Sequence, residues 1–195
     1  KQVSNKNQTN YSYSKLKAEN IIKKQLNKNH KNTILRLPNI FGKWAKPNHN
    51  SVVATFCYNI SRNQKISIFS NKEIQFCYID DLIKNLVYLI DNKRKKIRLK
   101  IFKCKVNILA EKLKKMKRDR FNCITNFSKS KFDKYLYATY LTYIPRKDIT
   151  YNLLSHEDYR GDFIELFKQP NNGQISYFSI NPKVKRGGHY HNTKV

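Results

Sequence analysis

The chain of 195 residues is 39% hydrophobic and 13% aromatic, which provides enough apolar material for a sizeable core and excludes a disordered tail. Its four cysteines are widely spaced and form no CxxC pair, which indicates reduced thiols of a cytoplasmic protein rather than a disulfide framework. No apolar run approaches the roughly 20 residues of a membrane span, and residues 1–10 lack the apolar core of a signal peptide.

The net charge of +27 has two interpretations. A strongly basic chain is typical of proteins that bind nucleic acid or another anionic surface. However, Lys, Asn, Ile and Tyr are abundant while Gly, Pro and Trp are scarce, as in a protein encoded by A/T-rich DNA. Residues 92–120, which hold 14 Lys and Arg, include apolar positions that alternate with charged ones, as in a half-buried element. We therefore favour a solvated basic surface over a nucleic-acid interface.

The first predicted element is a helix over residues 14–29, where apolar residues recur at helical spacing. The β-prone run 33–37 predicts a strand, and the Pro- and Gly-containing residues 38–42 predict the loop that follows it. A second apolar helix is predicted over residues 51–63. This order of helix, strand, loop and helix is typical of an α/β domain.

Two strands are predicted next, a short one at residues 66–69 and an apolar one at 74–79. Asp80 and Asp81 then begin a helix that runs to Leu89, since acidic residues stabilise a helix N-terminus. The alternation of helix and strand therefore continues beyond the second helix.

A basic strand at residues 97–101 and a basic helix to about residue 118 complete this part of the chain. Asn107 is the predicted N-cap of the helix. Its apolar stripe consists of Ile108, Leu109, Leu113 and Met116.

An aromatic, Ser/Lys-rich connector extends to Pro145, and the character of the chain changes after about residue 150. Short strands separated by Gly and Pro turns are predicted at residues 160–168, 173–180 and 186–195. We place a domain boundary near residues 145–152. The predicted domains are residues 1–145 and 146–195.

The stretch YSYSK offers a candidate catalytic pair, Tyr11 and Lys15. Residues four apart on a helix lie on one face, where the lysine ammonium stabilises a tyrosinate. A tyrosine with an ordinary pKa of about 10 needs roughly 4 kcal/mol of such help for acid–base work near neutrality. Spacing alone does not identify the pair, because the chain contains four YxxxK matches. The others are Tyr13/Lys17, Tyr143/Lys147 and Tyr190/Lys194.

The residues around this pair supply a more specific signal. YSYSKLKAE, residues 11–19, resembles the Y-G/S-x-S-K-x-x-x-E stretch of extended short-chain dehydrogenase/reductases, the nucleotide-sugar epimerase/dehydratase family. RLPNIFG, residues 36–42, is similar to that family's RxxNxYG segment, with Phe41 in place of the usual Tyr. FCYIDD, residues 76–81, is similar to the family's FxYVDD segment. The three motifs follow one another in the family's order.

The resemblance implies roles for individual residues. Tyr11 would be the general acid, and Lys15 would lower its pKa and hold the nicotinamide ribose. Pro38 would lie beside the nicotinamide, and Asn39 would face the UDP-sugar. Residues 1–145 would then be the C-terminal part of a Rossmann-type reductase domain.

The later segments resemble a narrower family, the bifunctional capsular-polysaccharide enzymes that fuse an extended reductase to a C-terminal cupin. The similar segments include GKWAKPNHNSVVATFCYNI, YATYLTYIP and DYRGDFIELFK. The resemblance implies that residues 146–195 begin a β jelly-roll cupin, which epimerises C3 of a UDP-2-acetamido-2,6-dideoxy-4-hexulose. The reductase domain would reduce C4 with NADPH or NADH, on the route to UDP-N-acetyl-L-fucosamine for capsule or O-antigen. It further implies a UDP-amino-sugar substrate and a homodimer at full length.

Two features that such an enzyme is expected to have do not occur in the sequence: a glycine-rich turn for the cofactor pyrophosphate, and a third metal ligand after an HxH pair. No GxxGxxG turn precedes Tyr11 to seat the cofactor pyrophosphate. His189 and His191 form an HxH pair whose side chains would share one face of a strand. Zinc normally needs three or four protein ligands, and the cupin pattern places the next ligand immediately after Val195. We therefore expect an interior fragment that is inactive by itself, with zinc a candidate cofactor of the intact cupin only.

Two alternative functions remain open from the sequence. A plain NAD-dependent UDP-sugar epimerase or dehydratase would share the three reductase motifs, although the tail argues against it. A basic nucleic-acid-binding protein would explain the charge, and it would bind DNA with a steep dependence on salt.

Overall fold

The computed structural model describes residues 9–25, 33–92, 97–125, 130–169 and 173–188. These residues form helices and strands in a mixed α/β arrangement, as predicted. The elements are α1 (Asn10–Gln25), β1 (Asn39–Phe41), α2 (Val52–Ser61), β2 (Glu73–Tyr78), α3 (Ile79–Asn92), β3 (Ile101–Lys105), α4 (Val106–Phe121), α5 (Lys131–Leu141), a 3-10 turn (Arg146–Asp148), β4 (Ser155–Asp158), β5 (Gly161–Gln169) and β6 (Gly173–Phe178).

The chain divides into two compact units. Unit 1 comprises Lys1–Phe41 and Glu73–Cys104, and unit 2 comprises Gly42–Lys72 and Lys105–Val195. The proposed domain division at residues 145 and 146 follows a different criterion, the change of sequence character, and it stays a prediction.

Unit 1 contains a sheet with the strand order β1-β2-β3. β1 and β2 are parallel, with Asn39 opposite Phe76 and Phe41 opposite Tyr78. Phe41 and Phe76 are buried and meet edge to face, with 5.9 Å between ring centroids. A parallel pair with an apolar interior is the arrangement expected for an α/β sheet.

Unit 2 contains the helices α2, α4 and α5, which pack on one another. Ser51 caps α2, because its hydroxyl accepts a hydrogen bond from the Ala54 amide at 3.3 Å. Ser130 caps α5 in the same way through the Asp133 amide. The fully buried apolar side chains include Val53 from α2, Leu109 and Leu113 from α4, and Leu136 and Tyr140 from α5.

The strands β4, β5 and β6 form an antiparallel sheet in the same unit. Gly161 starts β5 at φ 121°, and a Cβ there would lie 2.5 Å from the Ser179 carbonyl oxygen, so no other residue fits. The residues after α4 join this sheet through hydrogen bonds of Lys168 with Cys123 and Thr125, at 2.8 and 2.9 Å. The sheet is therefore fastened to the end of α4.

Two strand predictions are wrong. Residues 33–37 have no regular structure, and β1 lies at Asn39–Phe41, where a loop was predicted. Pro38 has no amide to donate, so the ladder begins only after it. Residues 66–69 are also irregular, because Phe69 is 97% exposed and the segment buries no face.

The basic strand and helix are shifted from their predicted positions. β3 begins at Ile101, whereas residues 97–100 are irregular. Lys105 occupies the N-cap of α4, and Asn107 lies inside the helix, where the Asn71 side chain accepts its amide hydrogen at 3.2 Å. A neighbouring loop therefore supplies the cap that Asn107 was predicted to provide. Ile108 is exposed, whereas Leu109 and Leu113 are buried as predicted.

The region from about residue 118 to Pro145, predicted as a connector, contains the helix α5. β4 was also not predicted as a separate strand, whereas β5 and β6 coincide with the strands predicted from residues 160 and 173. All four cysteines are free thiols, as predicted. Within the described residues, no helix has both the length and the apolar character that crossing a membrane would require.

Candidate active site

α1 brings the candidate catalytic pair together on one face. The Lys15 ammonium nitrogen lies 5.4 Å from the centroid of the Tyr11 ring. Tyr11 is 55% exposed, so its phenol is accessible to a small molecule. The arrangement therefore places a proton donor and a cation side by side at the surface of unit 1.

The turn that carries Tyr11 is held by a reciprocal pair of short polar residues. The Ser12 hydroxyl accepts from the Thr9 amide at 2.9 Å, and the Thr9 hydroxyl accepts from the Ser12 amide at 3.2 Å. Ser12 is buried, and its hydroxyl also donates to the Thr9 carbonyl at 2.9 Å. These bonds satisfy main-chain groups that are otherwise unpaired at a helix start. The T-x-x-S spacing was a signal for this cap that sequence analysis missed.

An ion pair anchors α1 further along the same face. The Arg36 guanidinium donates to both carboxylate oxygens of Glu19, at 3.0 and 2.7 Å. These hydrogen bonds lower the pKa of Glu19 and raise the pKa of Arg36. Glu19 is buried while the Arg36 side chain is more than half exposed. Because Glu19 follows Lys15 by one turn, the pair ties the candidate catalytic helix to the segment just before β1.

Pro38 and Asn39, the candidate cofactor and substrate contacts, lie at the start of β1. Pro38 is half-buried and Asn39 is exposed. The Asn39 side-chain amide donates to the Gln75 carbonyl on β2 at 3.3 Å, which orients it. Arg36, two residues before Pro38, thus connects the two parts of the predicted site within unit 1.

The other YxxxK matches differ in their surroundings. Tyr143 is buried, and its phenol donates to the Ala45 carbonyl at 2.5 Å. Burial raises its pKa to about 12, which makes it unsuitable for acid–base work. Tyr13 is as exposed as Tyr11, so only the surrounding motif distinguishes Tyr11/Lys15 from Tyr13/Lys17. The pair Tyr190/Lys194 lies outside the described residues.

The predicted metal ligands His189 and His191 also lie outside the described residues, so their role stays a prediction. Within the described part of the chain, no group of three or more His, Cys, Asp or Glu side chains is arranged to hold a metal ion.

Comparison with known families identifies two matched regions. The sequence profile of the NAD dependent epimerase/dehydratase family matches residues 2–104. That of the polysaccharide biosynthesis C-terminal domain matches residues 156–195. The first region contains α1, β1 and β2 with their candidate site residues, and the second contains most of the β4–β6 sheet.

Individual proteins are similar over most of the chain. A UDP-2-acetamido-2,6-beta-L-arabino-hexul-4-ose reductase from Pseudomonas aeruginosa strain PA103 is 41% identical over 167 residues, which cover 83% of this chain and 45% of the relative. The crystal structure of the capsular polysaccharide assembling protein CapF from Staphylococcus aureus has a TM-score of 0.88 at 35% identity. That match covers 98% of this chain and 53% of CapF.

A second CapF structure, in complex with the inhibitor 3-isopropenyl-tropolone, has a TM-score of 0.75 at 38% identity and covers 81% of this chain and 48% of that one. The chain therefore spans about half the length of the relatives it matches.

Proposed function

The chain belongs to the NAD-dependent epimerase/dehydratase family, and on that premise we propose that it is part of a UDP-sugar reductase of polysaccharide biosynthesis. The reaction is reduction of the C4 ketone of a UDP-2-acetamido-2,6-dideoxy-4-hexulose. The similarity to a 4-hexulose reductase and to CapF supports this substrate class. The observation that carries the proposal is the exposed Tyr11 beside Lys15 on a helix that Thr9 and Ser12 cap at its start and that the Glu19–Arg36 ion pair holds at its middle.

The proposed chemistry needs one hydride and one proton. A reduced nicotinamide, NADPH or NADH, supplies the hydride to C4 when it is bound. The Tyr11 phenol donates its proton to the C4 oxygen, and the ketone becomes a secondary alcohol. Lys15 holds the nicotinamide ribose and stabilises the tyrosinate that remains.

The residues present fit the nicotinamide end of such a cofactor. The exposed phenol and ammonium form a polar pair on α1, and Pro38 presents a half-buried apolar ring before β1. Asn39, with its amide oriented by Gln75, is the proposed contact to the sugar. The sequence contains no glycine motif for the pyrophosphate, so the proposed cofactor contacts of this chain are limited to the nicotinamide ribose and ring.

We further propose that residues 146–195 contribute to a cupin that epimerises C3, with His189 and His191 as its zinc ligands. The antiparallel order β4-β5-β6 and the match to the polysaccharide biosynthesis C-terminal domain support a β structure in this region.

The test compares two neighbouring tyrosines in an intact polypeptide that contains this sequence. Tyr11→Phe removes the proposed proton donor and should lower C4 reduction by about 100- to 10,000-fold, the usual contribution of general acid catalysis. Tyr13→Phe is the matched control, since Tyr13 is equally exposed on the same helix, and it should change the rate little.

Two readouts separate the two proposed activities. Loss of nicotinamide absorbance measures C4 reduction, and incorporation of solvent deuterium at C3 measures epimerisation. Tyr11→Phe should leave the deuterium exchange nearly intact. Equal loss of reduction in both tyrosine variants would mean that Tyr11 is not the acid, and loss of both activities together would contradict the division between the domains.

A further inference from the structure

The single tryptophan of the chain, Trp44, lies in the loop of residues 42–51 that precedes α2. Its side chain is 79% exposed. Its backbone has φ 60°, the left-handed region that bulky residues strongly disfavour. A large side chain thus occupies a costly backbone conformation without gaining burial in return.

Contacts on both sides hold this conformation in place. The Trp44 amide donates to the Thr142 hydroxyl at 3.5 Å, and the Tyr143 phenol donates to the neighbouring Ala45 carbonyl at 2.5 Å. The Asn48 amide donates to the Thr55 hydroxyl on α2 at 2.9 Å. Backbone strain that the surroundings enforce in this way is concentrated at binding and catalytic sites. The loop therefore presents the indole to solvent on a fixed support.

Thr142 and Tyr143, which hold the Trp44 loop, are themselves fixed by hydrogen bonds within unit 2. Tyr143 is buried just beyond the end of α5, and its own carbonyl accepts hydrogen bonds from the Ser61 hydroxyl and the Arg62 guanidinium, at 2.9 and 2.8 Å. The Thr142 hydroxyl donates to the Thr139 carbonyl at 2.7 Å. The support of Trp44 is thus the packed junction of α2 and α5.

The chemistry around the indole indicates which ligand it suits. The Lys43 ammonium lies 5.7 Å from the centroid of the indole ring. The loop also carries Lys46 and His49, and residues 42–72 contain no Asp or Glu. A flat aromatic surface beside concentrated positive charge suits a ligand that joins a planar ring to an anionic group. A purely apolar partner fits less well, because the neighbouring loop residues are mostly polar.

We propose that Lys43 and Trp44 form a nucleotide platform, on which the uracil of a uridine diphosphate stacks against the indole while Lys43 pairs with the phosphates. The choice of uridine diphosphate rests on the proposed function, since it takes the UDP-sugar as the substrate class. The platform is a binding surface and takes no part in proton or hydride transfer.

The single tryptophan makes a direct test possible, because intrinsic tryptophan fluorescence of this chain reports on Trp44 alone. The chain is titrated with UDP, with uridine and with inorganic pyrophosphate. UDP and uridine should quench the fluorescence, and UDP should bind more tightly. Pyrophosphate should compete with UDP without quenching strongly, because it has no ring to stack.

Variants separate the two contributions. Measured by calorimetry, Trp44→Ala should weaken UDP binding by about 10-fold, with the circular dichroism of the fold retained. Lys43→Gln should weaken UDP binding several-fold, reduce its salt dependence and leave uridine binding unchanged. Phe69→Ala is the matched control, since Phe69 is an exposed aromatic residue of an irregular segment of the same unit, and it should change nothing.

The outcomes distinguish this inference from the function on which it rests. If UDP binds by calorimetry without quenching Trp44, and Trp44→Ala binds it equally well, the platform is wrong while the proposed function stands. If neither UDP nor a UDP-sugar binds at all, and the intact polypeptide reduces no 4-hexulose, both proposals are wrong.

Discussion

Two tyrosine-bearing helices of this chain illustrate opposite uses of the same side chain. On α1, Tyr11 is 55% exposed and its phenol is reachable by small molecules. On α5, Tyr140 is 2% exposed, and burial raises its pKa to about 12. Surface exposure keeps a phenol available for chemistry, whereas burial makes it a packing element that retains its proton.

The two helices also differ in how they are held. The buried residues of α1 are polar, Ser12 and Glu19, and they act through hydrogen bonds to Thr9 and Arg36. The buried residues of α5 are mostly apolar or aromatic, namely Phe132, Leu136, Thr139 and Tyr140. Apolar burial depends little on charge, whereas polar anchors respond to pH and to single charge changes. The candidate catalytic helix is therefore the one whose position is easier to perturb.

The largest loss of stability should come from a substitution in the buried face of α5. Tyr140→Ala leaves a cavity among α2, α4 and α5 and should lower the free energy of unfolding by about 3–5 kcal/mol. Tyr137→Ala is the matched control on the same helix, because Tyr137 is 37% exposed and should cost much less. Urea unfolding followed by circular dichroism measures both. Similar losses for the two variants would contradict the assignment of Tyr140 to the core.

A second effect of the buried tyrosines is sensitivity to alkali. The pKa values of Tyr140 and Tyr143 are raised to about 12, whereas an unfolded tyrosine titrates near 10. The unfolded chain therefore loses these protons first, so the contribution of the two tyrosines to stability is constant below about pH 10 and is lost as the pH rises toward 12. Thermal unfolding between these pH values should show this fall. Tyr140→Phe should reduce the slope of stability against pH. An unchanged slope would mean that the pKa of Tyr140 is the same in the folded and unfolded states.

The contrast between the helices also explains what could be predicted from the sequence. α2, β2 and α3 were predicted within a few residues, because local signals such as the apolar run of residues 51–63 and the acidic pair Asp80 and Asp81 agree with the burial pattern. α5 carried comparable signals, a Ser130 cap and apolar residues at helical spacing, but the aromatic, Ser- and Lys-rich composition obscured them. Elements whose position is determined by their own residues could thus be predicted from the sequence.

Contacts between distant residues were not predictable in the same way. The run 33–37 has strand-like composition, but Arg36 instead forms an ion pair with Glu19, 17 residues earlier. Because Pro38 has no amide hydrogen, the strand β1 begins only at Asn39. The Tyr11/Lys15 pair was proposed from the contiguous motif around it, YSYSKLKAE, since the spacing alone also matches three other pairs. The contacts that hold Trp44 join residues 98 apart, so the sequence contained no local sign of them.

The polar anchor of α1, the ion pair between Glu19 and Arg36, should make this helix sensitive to acid. Hydrogen bonds from Arg36 lower the pKa of Glu19 below its ordinary value of 4.5. The ionised carboxylate therefore contributes stability above that value, and the contribution is lost as the pH falls through the lowered pKa. Unit 1 should lose α1 helicity on acidification before the core of α5 responds. Circular dichroism and amide exchange on α1 measure this order.

Removing either partner should affect the candidate active site more than the overall fold. Glu19→Gln or Arg36→Gln loosens α1 relative to Pro38 and Asn39, and should lower turnover by up to about 10-fold, with a smaller change in unfolding than Tyr140→Ala produces. The matched control is Glu111→Gln, which breaks an exposed ion pair with Lys114 on α4 and should leave both measurements unchanged. The exchanged pair Glu19→Arg with Arg36→Glu should recover part of the turnover, because it restores the link with reversed charges. If each single variant turns over normally while Tyr11→Phe does not, the anchor has no part in positioning the catalytic tyrosine, and α1 is held by other contacts.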